Sequence, residues 1–246
     1  MTGRFEGHHP EHGHDTAGVP WQGRTLAGTG FDADEGAGDP ALLAALGAAD
    51  DDAEITVMAA LSAARLIIPI VAVPGEGASS DMAAVTLSAP DGRKALPAFT
   101  SIEQLTRWDA TARPVPVSPQ RAALAAVQEG CDVVLLDLGT EHTRELRTSM
   151  VWALAMGREW QPAHRDHHVA AAVHAATNGE RQIARWALDG GSDGALVIRL
   201  TLKAGLTPPQ INELLERVGG RIASDGEARA RIDAIAFRLI EDPGPG

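Results

Sequence analysis

The sequence predicts an α/β protein made of two small α/β (α+β) domains. Two continuous apolar runs of strand length, LIIPIVAV at 66–73 and DVVLLDL at 132–138, stand in the first part of the chain. Uninterrupted runs of this kind suit strands covered on both faces. Helix-start signals lie between the two runs, which gives the alternation of strands and helices expected of an α/β sheet. Further on, two segments of alternating polarity, 181–188 and 195–202, are joined through Gly190-Gly191 and followed by a strongly capped helix. We therefore expect a first domain at 40–156 with a mixed sheet that holds both apolar runs among its inner strands. A linker at 157–165 and a second domain at 166–242 should follow, the latter a three-stranded antiparallel sheet packed by helices.

Each element has its own signal. Residues 1–38 are rich in Gly, His, Asp and Pro without apolar periodicity, which predicts a mostly disordered or extended lead-in. PALLAALGA at 40–48 reads as a short helix with Pro40 in its first turn. A second helix, 53–64, carries Ile55, Val57, Met58 and Leu61. Pro69 inside the first apolar run argues for an edge position or a bulge. A strand at 82–87, the turn dipeptide Asp91-Gly92 and a strand at 94–99 follow. Ser101 and Gln104 have capping-box spacing at the head of a helix to Trp108. Val115 to Val117 is a short strand, and Ser118 with Pro119 opens a helix to about 129. Residues 146–156 and 166–177 read as helices. Strand alternation over 181–188 places Ile183, Arg185 and Ala187 on one face and Ala184, Trp186 and Leu188 on the other. Thr207, Pro208 and Gln210 start a helix that Gly219-Gly220 should end. A short helix at 225–230 and a strand at 232–239 close the chain.

Composition narrows the function classes. A length of 246 residues fits one large domain or two small ones. Hydrophobic residues at 44% and charged residues at 22% are ordinary for a globular protein. There is no Tyr and aromatics are 4%, which argues against a base-stacking surface for nucleic acid. The net charge of −12 is uneven: residues 1–156 hold 21 acidic and 10 basic side chains, and residues 157–246 hold 12 and 11. Neither part is basic, so a phosphate-backbone partner is not expected. The single cysteine, Cys131, abuts an apolar run and reads as a small core residue in a reducing compartment. No secretory h-region follows the N-terminus, and no window reaches 18 consecutive apolar residues. These features predict a cytoplasmic protein without a membrane span.

One stretch carries a family likeness. Residues 80–117 read SDMAAVTLSAPDGRKALPAFTSIEQLTRWDATARPVPV. The strings DGR-ALPAFTS and L-RWD--ARPVPV resemble the N-terminal domain of the SseB-like family, in its actinobacterial form. Residues 20–46 and 61–73 resemble that family's lead-in and its first helix-to-strand step. The likeness extends over about 19–156, and the second domain fits only by general layout. The resemblance implies a cytoplasmic α/β protein and brings no catalytic motif and no cofactor to carry over.

His164, His167 and His168 cluster near the second domain's start, beside Asp166. They are the candidates for a metal site, although zinc needs three or four converging ligands and the H-E-x-x-H pattern is absent. His8, His9, His12 and His14 form a second cluster, in the lead-in. No dinucleotide fingerprint, phosphate loop, calcium loop or nucleophile elbow occurs, so no catalytic residue is assigned. Phe99, Arg107, Trp108 and Arg113 fall in the family string and form a candidate partner-binding patch. The expected function is that of a non-catalytic binding or regulatory protein with a protein partner. The alternative is a metal-binding protein or metal-dependent hydrolase built on His164, His167 and His168. Trp21, Leu26 and Phe31 are spaced five apart among Gly and Asp, as anchors of a docked arm or as incidental hydrophobes in a flexible one.

Overall fold

Local side-chain caps decide where most of the helices begin. Asp39 accepts from the backbone N–H of Ala41 and Leu42 at the head of α1 (Pro40–Leu46). α2 (Ala53–Ala63) follows. Ser101 caps α3 (Ile102–Trp108) and Ser118 caps α4 (Pro119–Gln128). α5 (Thr148–Ala155) has no side-chain cap of its own. Asp166 caps α6 (His167–Thr177). At α7 (Pro208–Ser224) the Gln210 side chain accepts from the Thr207 backbone at 2.9 Å. Asp225 caps α8 (Gly226–Arg231). At α3 only half of the predicted capping box is made: Ser101 Oγ accepts from the Gln104 N–H at 3.2 Å, but Gln104 Oε1 accepts no hydrogen bond among the described residues. The computed structural model describes residues 31, 33–50, 52–74 and 80–241. The chain divides into two units, Met1–Glu35 and Gly36–Gly246, and every element lies in the second.

The protein is α/β, as predicted. β1 (Leu66–Pro74) is the central strand of an antiparallel sheet in the order β2-β1-β5, with β2 (Ser80–Ala84) and β5 (Arg113–Val117). A second sheet has the order β3-β4-β6-β7, from β3 (Leu87–Ser88), β4 (Lys94–Ala98), β6 (Val133–Leu136) and β7 (Arg144–Leu146). It is mixed, because β4 and β6 are parallel while the outer pairs are antiparallel. Both apolar runs are inner strands, as expected, but of two sheets rather than one. The sheets meet at a bridge between Ile67 and Phe99, with N···O distances of 2.8 and 2.9 Å. The strand expected at 82–87 is instead split into β2 and β3, and β7 was not anticipated.

Proline positions explain the first sheet's edge. Pro69 does not put β1 at the edge. Ile67 points its backbone groups at Phe99, so by alternation Pro69 points away from β5, and its carbonyl accepts from the Val85 N–H at 3.1 Å. Pro69 faces Pro114 in the register, and Pro116 faces Ile67. Both prolines of β5 therefore turn their ring nitrogens toward the open edge, where no ladder bond is lost and no further strand can pair.

The last sheet has the order β10-β9-β8, from β8 (Ile183–Gly190), β9 (Leu196–Leu202) and β10 (Ile235–Glu241). Three strands were predicted, but the sheet is not wholly antiparallel: β10 runs parallel to β9. The reason is the connection. α7 and α8 carry the chain back to the start of β9, which a parallel pairing requires. A register shift between Ile183 and Arg185 also corrects the face assignment: Ile183 joins Trp186 and Leu188 against the core, away from Arg185 and Ala187.

Gly219-Gly220 does not end α7, which continues to Ser224. Leu214, Val218 and Ile222 form one fully buried stripe at four-residue spacing. Burying Ile222 stabilises by about 1.5–3 kcal/mol, which offsets a mid-helix glycine cost of about 1 kcal/mol each.

Two large buried clusters result. One gathers Leu42, Leu61, Leu96, Leu136 and their neighbours between Leu42 and Trp160, and the other gathers Val173, Ile198, Leu200 and Leu214 from α6, β9 and α7. A group of charged side chains joins them. Asp233, just before β10, accepts from the Ser149 backbone N–H (2.7 Å) and the Ser149 hydroxyl (2.8 Å) at the head of α5. Arg147 donates to Asp233 at 3.0 Å and holds both carboxylate oxygens of Glu54, at 2.6 and 2.9 Å. The buried Trp160 donates its Nε1 to Ser149 Oγ at 3.0 Å. Gly194, with φ +73°, lets the backbone lie against this guanidinium: a Cβ there would sit 2.3 Å from Arg147 Nε.

Candidate functional site

Parallel strands of an α/β sheet present their carboxyl ends to ligands. In this protein the carboxyl ends of β4 and β6 are tied to each other. The Thr100 N–H and hydroxyl donate to the two carboxylate oxygens of Asp137, each at 2.8 Å, and the Asp137 N–H donates to the Ala98 carbonyl at 2.9 Å. Asp137 is buried and has φ +46°, a left-handed conformation that non-glycine residues rarely adopt. Its carbonyl accepts from the Thr140 and Thr143 hydroxyls at 2.8 and 2.9 Å. Arg65 donates to the Thr100 carbonyl at 2.6 Å. The loop 137–143 is thereby fixed beside α3.

Between that loop and α3 lies a depression of about 490 Å³. Its wall on the α3 side is Gln104, Arg107 and Trp108, and on the loop side Gly139, Thr140 and His142. Gln104 and Trp108 are four apart on the helix and share a face. Trp108 is half-buried, and its ring lies 5.4 Å from that of Phe99 at 35°. Arg107 is held by Glu103 at 2.7 Å. Gln104 Oε1 is buried and has no hydrogen-bond partner among the described residues.

The patch predicted from the sequence is thus partly assembled. Arg107 and Trp108 line the depression. Phe99 is fully buried and supports Trp108 from beneath, so it presents nothing to a partner. Arg113 is exposed on β5 and is not part of the lining. Sequence reasoning missed Gln104 as an unpaired acceptor and the loop 138–142 as the opposite wall. The signal available was Asp137-Leu138-Gly139 directly after an apolar strand, read there as strand continuing.

The model of the SseB protein N-terminal domain matches residues 40–153. This stretch is an SseB-like N-terminal domain. No curated protein matches the chain. The depression and both strand ends that shape it belong to the SseB domain.

Asp137 has both oxygens occupied and buried, so it serves structure. His142 and Glu141 both line the depression, 3.7 Å apart, with side chains 43% and 87% exposed. Cys131 is half-buried beside the larger cluster, and burial pushes its thiol above the ordinary value, which keeps it a poor nucleophile at neutral pH. His164 lies in a separate turn, Ala163–Arg165, where it packs beside Gly190. The extended backbone of Asp166 separates that turn from α6, so His164 and His168 do not share a helical face. His167 and His168 stack at 4.0 Å. The Asp166 carboxylate caps α6 and pairs with Arg231 at 2.9 Å. Among the described residues no group of three or more His, Cys, Asp or Glu could hold a metal ion. No helix among them is long and apolar enough to cross a membrane. The histidines at 8, 9, 12 and 14, and Trp21 and Leu26, lie outside the described residues.

Proposed function

We propose that this is a non-catalytic, cytoplasmic binding protein whose SseB domain recognises a segment of a partner protein in the depression between α3 and the loop 137–143. The observation that carries this reading is Trp108: half-exposed, braced by a buried Phe99, with Arg107 and Gln104 lining the same depression. A rigid indole ringed by polar groups is the composition of binding hot spots. Of the nearby carboxylates, Asp137 is consumed in hydrogen bonds and Glu141 is largely exposed to solvent, which suits the site to contact rather than to proton transfer. A lone cysteine in 246 residues supports a reducing compartment.

The test is affinity capture from the native host with wild-type protein and with Trp108→Ala and Arg107→Ala. A partner retained by the wild type and lost from both variants, at unchanged circular dichroism, supports the site. A set of bound proteins unaffected by either change overturns it.

A further inference from the structure

We propose that β10 is a docking edge for an extended segment of a partner protein in which acidic and apolar residues alternate. β10 is the outer strand of its sheet, and it pairs with β9 over seven consecutive residues without interruption. The Ala234 carbonyl accepts from the Leu196 N–H at 2.8 Å, which sets the phase of the ladder. By alternation Ala236, Arg238 and Ile240 turn their backbone groups to β9, while Ile235, Phe237 and Leu239 turn theirs outward. That outward row is a template for a further strand.

Several other edges among the described residues are guarded. β5 carries two outward prolines, β3 and β7 have two and three residues, and β8 has a register shift at its start, between Ile183 and Arg185. β10 has none of these features, and Leu239 and Ile240 on it are each 42% exposed.

The two faces of the strand select the occupant. On the side away from the helices the register aligns Arg238 with Arg199, and Ile240 with Thr201 and Arg185. Asp189 pairs with Arg199 at 3.1 Å, so this face holds three guanidinium groups against one carboxylate. It is a cationic surface on a chain of net charge −12. On the other side Ile235, Phe237 and Leu239 are apolar. A strand added beside β10 places its side chains about 5 Å from these neighbours. Its outer-face residues then meet Arg238, and its inner-face residues meet Phe237 and Leu239. A carboxylate therefore belongs opposite Arg238 on the outer face, with apolar residues at the alternating inner positions.

The test uses the full chain and a fluorescein-labelled heptapeptide of alternating Glu and Val, read by fluorescence anisotropy. A peptide of the same composition with its glutamates in one block is the control. We expect saturable binding of the alternating peptide that weakens with salt, and binding of the block peptide about tenfold weaker. Arg238→Glu, an exposed substitution, should weaken the alternating peptide about tenfold or more. Leu239→Pro removes an outward N–H that β9 does not use and should act likewise. If that variant's melting curve shifts, Arg238→Glu alone decides. Equal affinity for both peptides, no binding, or indifference to Arg238→Glu overturns the proposal. So does a dimer in sedimentation that Leu239→Pro abolishes, since the edge would then be occupied by a second copy.

Discussion

The carboxylate of Asp233 caps helix α5 from a distant part of the chain, accepting the Ser149 backbone N–H at 2.7 Å. Arg147, which precedes that helix, supplies no side-chain cap and instead pairs with the same carboxylate at 3.0 Å. One residue thus satisfies a helix end and neutralises a largely buried guanidinium. Asp233→Ala should lower stability by about 2–4 kcal/mol in urea denaturation, because it leaves a buried donor and a buried charge short of a partner. Asp233→Asn, which keeps an acceptor for Ser149, should lose less. Equal losses from the two would show that charge, not capping, dominates.

Acid should weaken the same junction. The hydrogen bonds from Arg147 hold the Glu54 carboxyl below its ordinary value of 4.5, against a smaller opposing effect of burial. A depressed carboxyl contributes stability that is fully present above its unfolded value and is lost as pH falls through the folded one. Glu54→Gln should therefore make the stability profile shallower below about pH 4.5. At neutral pH the difference should be about 1 kcal/mol or less, since the Glu54 side chain is 50% exposed and its ion pair is screened. Urea midpoints taken from pH 3 to pH 7 in steps of about one unit would check this.

Asp137 is expected to tolerate Asn better than Ala. Its backbone is left-handed at φ +46° and its carboxylate takes both donors of Thr100. Asn accepts that backbone conformation and keeps one acceptor. Asp137→Ala should cost about 3 kcal/mol or more, by adding strain and orphaning buried donors, whereas Asn should cost less. Thermal melts of the two variants give the comparison, and a reversed order would sink the assignment.

Gly220→Ala should raise stability by about 0.5–1 kcal/mol, because glycine inside a helix costs that much relative to alanine. A Cβ at this position meets no atom within 4 Å. A rise of a few degrees in the melting midpoint is the expected readout.

Much of the first part of the chain was legible because its signals are local. Ser118-Pro119 and Asp91-Gly92 act within a few residues, and the uninterrupted runs at 66–73 and 132–138 can only be buried strands or helices. The errors fell where distant residues overruled a local signal. Gly219-Gly220 reads as a helix stop, yet Ile222 completes a buried stripe that carries α7 onward. Gln104 has the spacing of a capping box, yet its oxygen is buried without a hydrogen-bond partner among the described residues.

What the sequence by itself determined is the α/β class, most helix starts, the two inner apolar strands and the SseB likeness, since each rests on periodicity, capping or a contiguous string. Only the tertiary structure decided that β10 runs parallel to β9, that Phe99 supports Trp108 from beneath, and that Asp137 takes a left-handed turn to close one wall of the depression. These features depend on which surfaces meet across long stretches of chain. The free energy that fixes them comes from burial and from satisfying buried polar groups, and no short window of residues contains it.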